Sequence, residues 1–195
     1  RDALAQDWNR FLKWAVGDRV QWVPVPNLGK EDVCEFAKTY QLEGVILTGG
    51  NDIGKDLLRD ETETALIDFS IMHGLPVIGV CRGLQMLWQY FGGKLERIDS
   101  DAHVATHHKV SFCRDLSDIL CGNVDLVVNS FHNYGLAEMS EGGVVMPFMR
   151  ADDGSIEALI CEKRRIVAVM WHPERASFFS DVDKLLFRWA LLGEK

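Results

Sequence analysis

The chain has 195 residues, of which 47% are hydrophobic and 10% aromatic, and this is enough apolar material for a full core. Acidic residues outnumber basic ones by 29 to 21, and the resulting net charge of −8 argues against electrostatic binding to nucleic acid or to an anionic membrane. The cysteines are scattered and form no Cys-x-x-Cys pair, no apolar run is long enough for a bilayer, and the N-terminus has no signal-peptide pattern. These features predict a reduced, cytoplasmic protein.

Helix and strand patterns alternate through the first half of the chain. They predict helices over 2–16, 31–39, 60–73 and 82–91, and strands over 20–25, 44–48 and 76–80. The runs 44–48 and 76–80 are almost wholly apolar, as in parallel strands that are covered on both faces. The alternation predicts an α/β fold in which a mostly parallel sheet has helices on both faces, as in a flavodoxin-like three-layer sandwich.

Strand patterns dominate the second half. They predict strands over 124–128, 144–150, 155–161 and 165–171, tight turns at 152–154 and 162–164, and a final amphipathic helix over 181–192. Strands joined by such turns pair antiparallel, so we expect an antiparallel patch beside the parallel sheet in the C-terminal half. The composition is even and contains no linker pattern, which predicts a single domain over residues 1–195.

The segment Gly79-Val80-Cys81-Arg82-Gly83 lies where a predicted buried strand turns directly into a predicted helix. This is the pattern of a nucleophile elbow with cysteine in place of serine, and the two glycines allow the close approach that such a turn needs. The helix N-terminus favours a thiolate at Cys81 and directs the N–H of Arg82 toward an oxyanion. We therefore expect a nucleophile with a depressed pKa; the alternative is a buried structural cysteine.

A cysteine nucleophile needs a base, and the base needs a group that orients it. His172 follows the predicted strand 165–171 and precedes Pro173, which favours extended backbone at His172. In an extended segment His172 and Glu174 point to the same side, so Glu174 can hold one ring nitrogen while the other faces Cys81. The sequence therefore predicts a Cys81–His172–Glu174 triad, against the alternative of a structural histidine beside a solvated glutamate.

The other histidines give weaker signals. His103, His107 and His108 lie in a polar stretch, and the first two have the i, i+4 spacing of helical metal ligands. No acid or thiol lies at a matching spacing, so we expect no metal site. His132 follows a predicted strand and can line a pocket.

With the elbow and the His-Pro-Glu segment together, the chain resembles the class I glutamine amidotransferase-like superfamily, and within it the γ-glutamyl hydrolase branch named for γ-glutamyl-γ-aminobutyrate hydrolase. Arg82 after the cysteine is typical of that branch. The stretches that carry the resemblance are GVILTGGNDI at 44–53, LPVIGVCRGLQMLWQYFGG at 75–93, VNSFHN at 128–133 and AVMWHPE at 168–174.

The resemblance implies a complete catalytic machinery. Cys81 would be the nucleophile, His172 the base and then the acid, and Glu174 the group that orients His172. The backbone N–H groups of Arg82 and Gly50 would form the oxyanion hole. The implied reaction passes through a γ-glutamyl thioester and needs neither a metal nor an organic cofactor.

The resemblance also implies that Gln85 and a loop after a predicted strand hold the two ends of a glutamyl group; the loop residues are Ser130, Phe131 and His132. Gln85 lies one helical turn past the elbow and so faces the same pocket mouth as Cys81. Relatives often have glutamine where this chain has Tyr134, which leaves the amine leaving group open: a polyamine-derived amino acid, an amino sugar or a nucleotide amidate. We expect the loop, Tyr134 and the segment 99–108, with Asp99 and Asp101, to form the pocket wall.

The main interpretation is an enzyme that hydrolyses a γ-glutamyl amide, a small-molecule substrate, with a homodimer left open. The first alternative is the glutaminase subunit of a two-chain amidotransferase that passes ammonia to a synthetase partner. The second is a non-catalytic binding or stress protein with the same fold. A nucleotide site at residues 49–54 is a weak third, because the segment lacks the phosphate-loop patterns.

Family members usually begin with a strand before the first helix. This sequence begins at a predicted helix, so we expect that an N-terminal strand is missing from it.

Overall fold

The computed structural model describes residues 4–98, 100–116, 125–137 and 143–194, with residues 100 and 101 described by their backbone. The helices are α1 (Asp7–Ala15), α2 (Lys30–Thr39), α3 (Leu57–His73), α4 (Arg82–Tyr90), α5 (Ser100–His103) and α6 (Asp181–Leu192). The strands are β1 (Val45–Leu47), β2 (Val77–Val80), β3 (Leu95–Arg97), β4 (Val104–Phe112), β5 (Leu126–Phe131), β6 (Tyr134–Leu136), β7 (Met146–Ala151), β8 (Ile156–Cys161) and β9 (Ile166–Val169). None of the described helices is both long and apolar enough to cross a membrane.

Seven of the described strands form one sheet in the order β1-β2-β9-β8-β7-β4-β5. The pairs β1–β2 and β2–β9 are parallel, and the remaining pairs are antiparallel. Strands β1, β2, β9, β7 and β5 therefore run in one direction, while β8 and β4 run against them. Strands β3 and β6 pair in a separate antiparallel sheet. The predicted α/β class, with a mostly parallel sheet and an antiparallel part from the C-terminal half, is confirmed.

Helices cover both faces of the parallel strands. Successive residues of β9 point to opposite faces, and each face has its own apolar cluster. Val167 belongs to the cluster that contains Phe11 of α1 and Phe187 of α6. Ala168 belongs to the cluster that contains residues of α2, α3 and α4, such as Leu84. The predicted three layers are thus present, and they place the carboxyl ends of β2 and β9 side by side.

The predicted secondary structure is wrong in several places: the short strands β3 and β6 were not predicted, and two longer segments differ as well. Residues 20–25 are described and form no strand, because Pro24 and Pro26 lack the N–H donors that a ladder requires. Residues 104–112 form strand β4, between β7 and β5, although no strand was predicted there. The middle of this strand is the polar run Thr106-His107-His108-Lys109, which interrupts the apolar alternation by which strands are recognised. The predicted strand start at Val124 lies outside the described residues.

Candidate active site

Strand β2 turns directly into helix α4 at Cys81. The backbone of Cys81 has φ +51° and ψ −103°, which is strained for a residue with a side chain. Its N–H donates to the carbonyl of Val169 in β9 at 2.8 Å, which ties the turn to the neighbouring strand. The strand–turn–helix geometry that the Gly-x-Cys-x-Gly pattern predicts is present.

Gly79 and Gly83 allow the backbone segments around this elbow to touch. A Cβ at Gly79 would lie 2.7 Å from the carbonyl carbon of Gly83, so the two residues meet across the turn. A Cβ at Gly83 would overlap the carbonyl oxygen of Leu47 at the end of β1. Both positions therefore require glycine, and the second reason, contact with β1, is not apparent from the motif.

The predicted base follows the strand next to β2. Strands β2 and β9 are parallel neighbours, and Val80 at the end of β2 lies beside Val169 at the end of β9. Cys81 and His172, which follow these two ends, therefore lie at the same edge of the sheet. His172 Nδ1 lies 2.7 Å from Glu174 Oε1, and both residues are buried. With the carboxylate accepting from Nδ1–H, Nε2 is the basic nitrogen of the ring.

The contact between His172 and Glu174 arises differently from the expectation. The segment after His172 is not extended; Pro173–Arg175 form a turn of 3-10 helix that brings the carboxylate back to the ring. The backbone of Gly49 packs against the imidazole at Cε1, which a Cβ at Gly49 would overlap. The imidazole is thus held between a carboxylate and the segment Thr48-Gly49-Gly50, called the glycine loop below.

Asn129 is a supporting residue that the sequence analysis missed. Its side-chain Nδ2 donates to the carbonyl of His172 at 2.9 Å, and its Oδ1 accepts from the N–H of His172 at 2.8 Å. Asn129 lies on β5, so this amide connects the far edge of the sheet with the candidate base. A buried asparagine at a strand end, as in VNSFHN, is a signal that could have found it.

Burial controls the ionisation of Cys81, which is only 6% exposed. It raises the pKa of the thiol from its ordinary value of 9.0 to about 12, and the carboxylates of Glu174 and Glu157 raise it as well. The backbone N–H of Arg82 and the charge of Arg175 lower the pKa but do not outweigh burial. The expectation of a depressed pKa is therefore wrong, and the resting form of Cys81 is the neutral thiol.

Buried ion pairs connect the elbow with the glycine loop. The guanidinium of Arg82 is buried and pairs with Asp60 and Glu63 of α3. Glu63 also accepts from Arg59 Nε at 2.8 Å, and Arg59 Nη2 donates to the carbonyls of the first two loop residues at 2.9 and 3.0 Å. Sequence analysis missed Arg59 and Glu63, although their i, i+4 spacing is typical of a helical ion pair.

This network positions both predicted oxyanion donors. The backbone N–H of Arg82 hydrogen-bonds the Cys81 sulfur. The backbone of Gly50 rests on the Arg59 guanidinium, which a Cβ at Gly50 would overlap. Glu63 pairs with both arginines, so the two donors are held by one set of charges.

The predicted substrate loop is shorter than expected, because Ser130 and Phe131 are the last residues of β5 and Tyr134 begins β6. Its polar groups hold the segment 130–134, still called the substrate loop below, against the rest of the protein. Gln85 Nε2 donates to the carbonyl of Tyr134 at 2.9 Å, and the same carbonyl lies 3.1 Å from His132 Nδ1. Ser130 is buried, and its Oγ donates to the carbonyl of His103 at 2.7 Å. Substrate contact by these residues stays a prediction, but the structure does bring Gln85 and the loop together.

Phe131 lies beside the candidate base. Its ring lies edge-on to the His172 ring with 5.8 Å between centroids, and it is 41% exposed. The Arg175 guanidinium lies 5.4 Å from the centre of the same ring. An aromatic surface and a cation thus lie beside the candidate base.

The segment 99–108 differs from the predicted pocket wall. Residues 100–103 form α5 and residues 104–108 enter strand β4. His103 is buried and accompanies His108 in a side-chain cluster, while His107 is exposed. Asp99 and the side chain of Asp101 lie outside the described residues.

Residues 4–174 match the protein family described as Peptidase C26, a span that includes every predicted site residue. The chain belongs to the Peptidase C26 family. It is a member of the class I glutamine amidotransferase-like superfamily, in its γ-glutamyl hydrolase branch, as the resemblance implied. This membership makes it a hydrolase of the glutamine amidotransferase-like class.

Curated relatives are similar over most of the chain. A protein provisionally named a glutamine amidotransferase from Schizosaccharomyces pombe is 31% identical over 68% of this chain, which spans 62% of that protein. Gamma-glutamyl-CDP-amidate hydrolase from Campylobacter jejuni is 28% identical over 100% of this chain and 91% of its own length. A subunit of glutamine-hydrolyzing GMP synthase from Methanoregula boonei is 30% identical over 86% of this chain and 83% of its own length.

A solved structure has the same fold. It is provisionally described as a GMP synthase subunit from Thermoplasma acidophilum, with a TM-score of 0.72 and 21% sequence identity. The alignment covers 96% of this chain and 86% of that one. The sheet and helices described above therefore form the same fold as that structure.

Proposed function

We propose that this chain hydrolyses a γ-glutamyl amide, releasing glutamate and an amine, through Cys81, His172 and Glu174. The observation that carries the proposal is the strained turn at Cys81, which lies at the same sheet edge as the buried His172–Glu174 pair. A positive φ at a residue with a side chain costs free energy, and such strain is concentrated at functional sites. Membership of the Peptidase C26 family supports the same chemistry.

In the proposed acylation step, His172 Nε2 accepts the thiol proton while the Cys81 sulfur attacks the γ-carbonyl carbon. The carbonyl π electrons move to oxygen, and the oxyanion accepts hydrogen bonds from the N–H groups of Arg82 and Gly50. When this intermediate collapses, the C–N bond breaks and the amine leaves with the proton from His172. The product on the protein is a γ-glutamyl thioester.

Deacylation repeats the sequence with water. His172 takes a proton from the water while the water oxygen attacks the thioester carbonyl. His172 then gives this proton to the sulfur when the C–S bond breaks. Glutamate leaves, and the neutral thiol of Cys81 is restored. Glu174 stays ionised throughout, because its part is to hold the Nδ1–H and to stabilise the imidazolium.

The raised pKa of Cys81 supports coupled proton transfer. A thiol with a pKa of about 12 is almost wholly protonated near neutral pH, so a preformed thiolate does not supply the nucleophile. Deprotonation then has to accompany attack, which makes the buried His172–Glu174 pair essential to the first step.

We propose a leaving group larger than ammonia. Phe131 and Arg175 lie beside His172, where they offer an aromatic surface and a positive charge to the amine side of the substrate. Similarity to gamma-glutamyl-CDP-amidate hydrolase over the whole chain supports the nucleotide amidate among the three leaving groups named above. Gln85, Ser130 and His132 would hold the glutamyl end, and Tyr134 would face the leaving group.

A second candidate is the glutaminase subunit of a two-chain amidotransferase. The similarity to the GMP synthase subunit from Methanoregula boonei favours it, because the name of that relative describes one component of a synthetase. In that case ammonia would pass to a partner, and free glutamine would be the preferred substrate.

A glutamate-release assay on the purified chain separates these candidates. The substrates are γ-glutamyl nucleotide amidate, γ-glutamyl-γ-aminobutyrate and glutamine; the variants are Cys81→Ala and, as a matched control, Cys113→Ala, whose thiol is exposed. We expect faster release from a large amide than from glutamine, unchanged rates for Cys113→Ala and a loss of at least about 10³-fold for Cys81→Ala. Preference for glutamine, or activity only with an added synthetase, supports the second candidate; an active Cys81→Ala variant contradicts both.

We also propose that residues 1–195 act as a single catalytic domain in the cytoplasm. The thiols of Cys34, Cys81, Cys113 and Cys161 are free, as a reducing compartment would keep them. Cys121 lies outside the described residues.

A further inference from the structure

Four side chains from distant parts of the chain meet beside the predicted substrate loop, and one of them, His132, belongs to that loop. His103 ends α5, His108 lies on β4, His132 follows β5, and Glu157 lies on β8. His103, His132 and Glu157 are almost completely buried, and the side chain of His108 is 15% exposed. The proposed reaction uses no ring nitrogen or carboxylate of this group, called the histidine cluster below.

Each histidine of the cluster has one ring nitrogen turned outward to an acceptor. His103 Nε2 lies 2.8 Å from Asp153 Oδ2, and His132 Nδ1 lies 3.1 Å from the carbonyl of Tyr134. The ring of His108 donates to the backbone carbonyl of Ala102. An acceptor requires the proton on the nitrogen that faces it, so the inward nitrogen of each neutral imidazole carries a lone pair.

The inward nitrogens all face the carboxylate of Glu157. His108 Nε2 lies 3.3 Å from Oε2, His132 Nε2 lies 3.6 Å from Oε1, and His103 Nδ1 lies 3.8 Å from Oε1. These three nitrogens and Glu157 Oε2 are buried without a hydrogen-bond partner. Lone pairs that face one another in a buried site repel, so the arrangement needs either protons on the imidazoles or a bound cation between them.

The spacing of these atoms fits a bound metal ion. Zinc binds imidazole nitrogen and carboxylate oxygen at about 2.0–2.2 Å, and tetrahedral geometry then separates the ligand atoms by about 3.3–3.5 Å. One ligand atom each from His103, His108 and Glu157 lie within 4.8 Å of one another. Asp153 and the Tyr134 carbonyl take the outer positions that commonly fix the orientation of metal-bound histidines.

We propose that His103, His108 and Glu157 bind a divalent transition-metal ion, with His132, whose Nε2 lies 3.6 Å from Glu157 Oε1, as the fourth ligand. Zinc is the best match to three imidazoles and one carboxylate. Such a donor set disfavours magnesium and calcium, which prefer oxygen ligands. Four protein ligands fill a tetrahedral site, so the ion would have a structural role.

The cluster is connected to the predicted substrate loop. Ser130 Oγ and the N–H of His132 both donate to the carbonyl of His103, at 2.7 and 3.1 Å. The carbonyl of Glu157 accepts from the N–H of Met170, two residues before His172. A metal ion at the cluster would therefore fix the loop against β8, beside the segment that contains the candidate base. The sequence predicted no metal site because no acid or thiol lies at a spacing that matches His103 and His107. In the structure the acid is Glu157 on the distant strand β8, and β4 turns His108 rather than His107 toward it.

Zinc titration of the chelator-treated chain, followed by calorimetry, tests the proposal. The variants are His108→Gln and, as a matched control, His107→Gln, which changes the exposed neighbour on the same strand. We expect one zinc per chain with a Kd below about 1 µM, a rise in Tm on zinc addition, unchanged binding in His107→Gln and no binding in His108→Gln. Binding of Co²⁺ should give the visible absorption of a tetrahedral site.

Asp153→Asn keeps the test decisive if His108→Gln fails to fold. Its affinity for zinc should fall by about ten- to hundredfold while the ligand set remains. Lack of stoichiometric zinc binding by the wild-type chain, or equal binding by His107→Gln and His108→Gln, overturns the proposal. The Cys81→Ala variant should bind zinc normally, so failure of the metal site and failure of the proposed reaction give separate results.

Discussion

The elbow and the histidine cluster are held in place by different interactions. At the elbow, backbone atoms of Gly79, Gly83 and Leu47 touch directly. In the cluster, buried side chains from different strands face one another, and some of their nitrogen and oxygen atoms lack partners. A steric contact is satisfied by the chain alone, whereas inward-facing lone pairs need a bound cation or protons. The two regions should therefore respond differently to substitution, to metal and to pH.

The largest expected effect is that of Gly83→Ala on stability. The new Cβ overlaps the carbonyl oxygen of Leu47, so α4 must move away from β1, and we expect a loss of about 4 kcal/mol or more in the free energy of unfolding. Gly17→Ala is the matched control, because Gly17 has φ +63° but open space around it, and should cost about 1–2 kcal/mol. Denaturant unfolding measures both. Equal losses would show that the elbow is not sterically fixed.

The next largest effect is that of Glu174→Gln on catalysis. Glutamine cannot stabilise the imidazolium and can hold the wrong tautomer of His172, so kcat should fall by about 10²- to 10⁴-fold with little change in Tm. Glu162→Gln, in an exposed turn, should leave kcat unchanged. Zinc binding should be equal in both variants, because Glu174 lies outside the histidine cluster. A Glu174→Gln variant with nearly wild-type kcat would contradict the proposed role of Glu174 in orienting His172.

A smaller effect concerns Asp183, which is buried on α6 and accepts from Trp171 Nε1 at 2.9 Å. Burial, and to a lesser extent Glu174, raise the pKa of Asp183 from 3.8 to about 7. Between these two pKa values the unfolded chain has lost the Asp183 proton, whereas the folded chain retains it. The contribution of protonated Asp183 to the free energy of unfolding is therefore full below about pH 4 and is lost as pH rises to about 7.

Asp183→Asn keeps an acceptor for Trp171 but removes the titration. The free energy of unfolding of this variant, relative to wild type, should increase by about 2–4 kcal/mol between pH 4 and pH 7. Asp181→Asn, at an exposed position of the same helix, should show no such trend. Parallel curves for wild type and Asp183→Asn would contradict a raised pKa.

The smallest expected signal is that of Cys81 ionisation. Because the pKa of Cys81 is about 12, its thiol should stay protonated at neutral and mildly alkaline pH. The difference in ultraviolet absorbance between wild type and Cys81→Ala should therefore show no thiolate signal in this range. Alkylation by a small reagent should begin at the exposed Cys113. A thiolate of Cys81 near neutral pH would mean that the helix N-terminus outweighs burial after all.

The sequence predicted best what adjacent residues determine. Gly79, Cys81 and Gly83 lie within five positions, so the local pattern predicted the elbow. The contact of His172 with Glu174 spans two positions and was predicted as well, although from extended backbone rather than from the 3-10 turn that makes it. Helix α6 lies at Asp181–Leu192, as predicted. These features depend on backbone geometry and periodicity, which a single segment reveals.

What the sequence did not predict depends on strand pairing. Glu157 meets His108 and His132 only because β4 and β5 join the sheet that contains β8, and the polar composition of β4 concealed it as a strand. The pKa of Cys81 was misjudged for a related reason, since burial depth and the nearby charge of Glu157 are properties of the folded chain. Local patterns carry no information on either.

Covalent capture at Cys81 tests the central claim most directly. The chain is treated with a diazoketone analogue of glutamine, whose ketone replaces the γ-carbonyl and whose reactive carbon lies where the amide nitrogen would be; loss of N₂ leaves this carbon bonded to sulfur, and the modified peptide is identified by mass spectrometry. The account predicts one adduct per chain on Cys81, blocked by prior addition of a γ-glutamyl amide and missing in Cys81→Ala. Modification of Cys113 at the same rate, or glutamate release that continues after full reaction at Cys81, would contradict it.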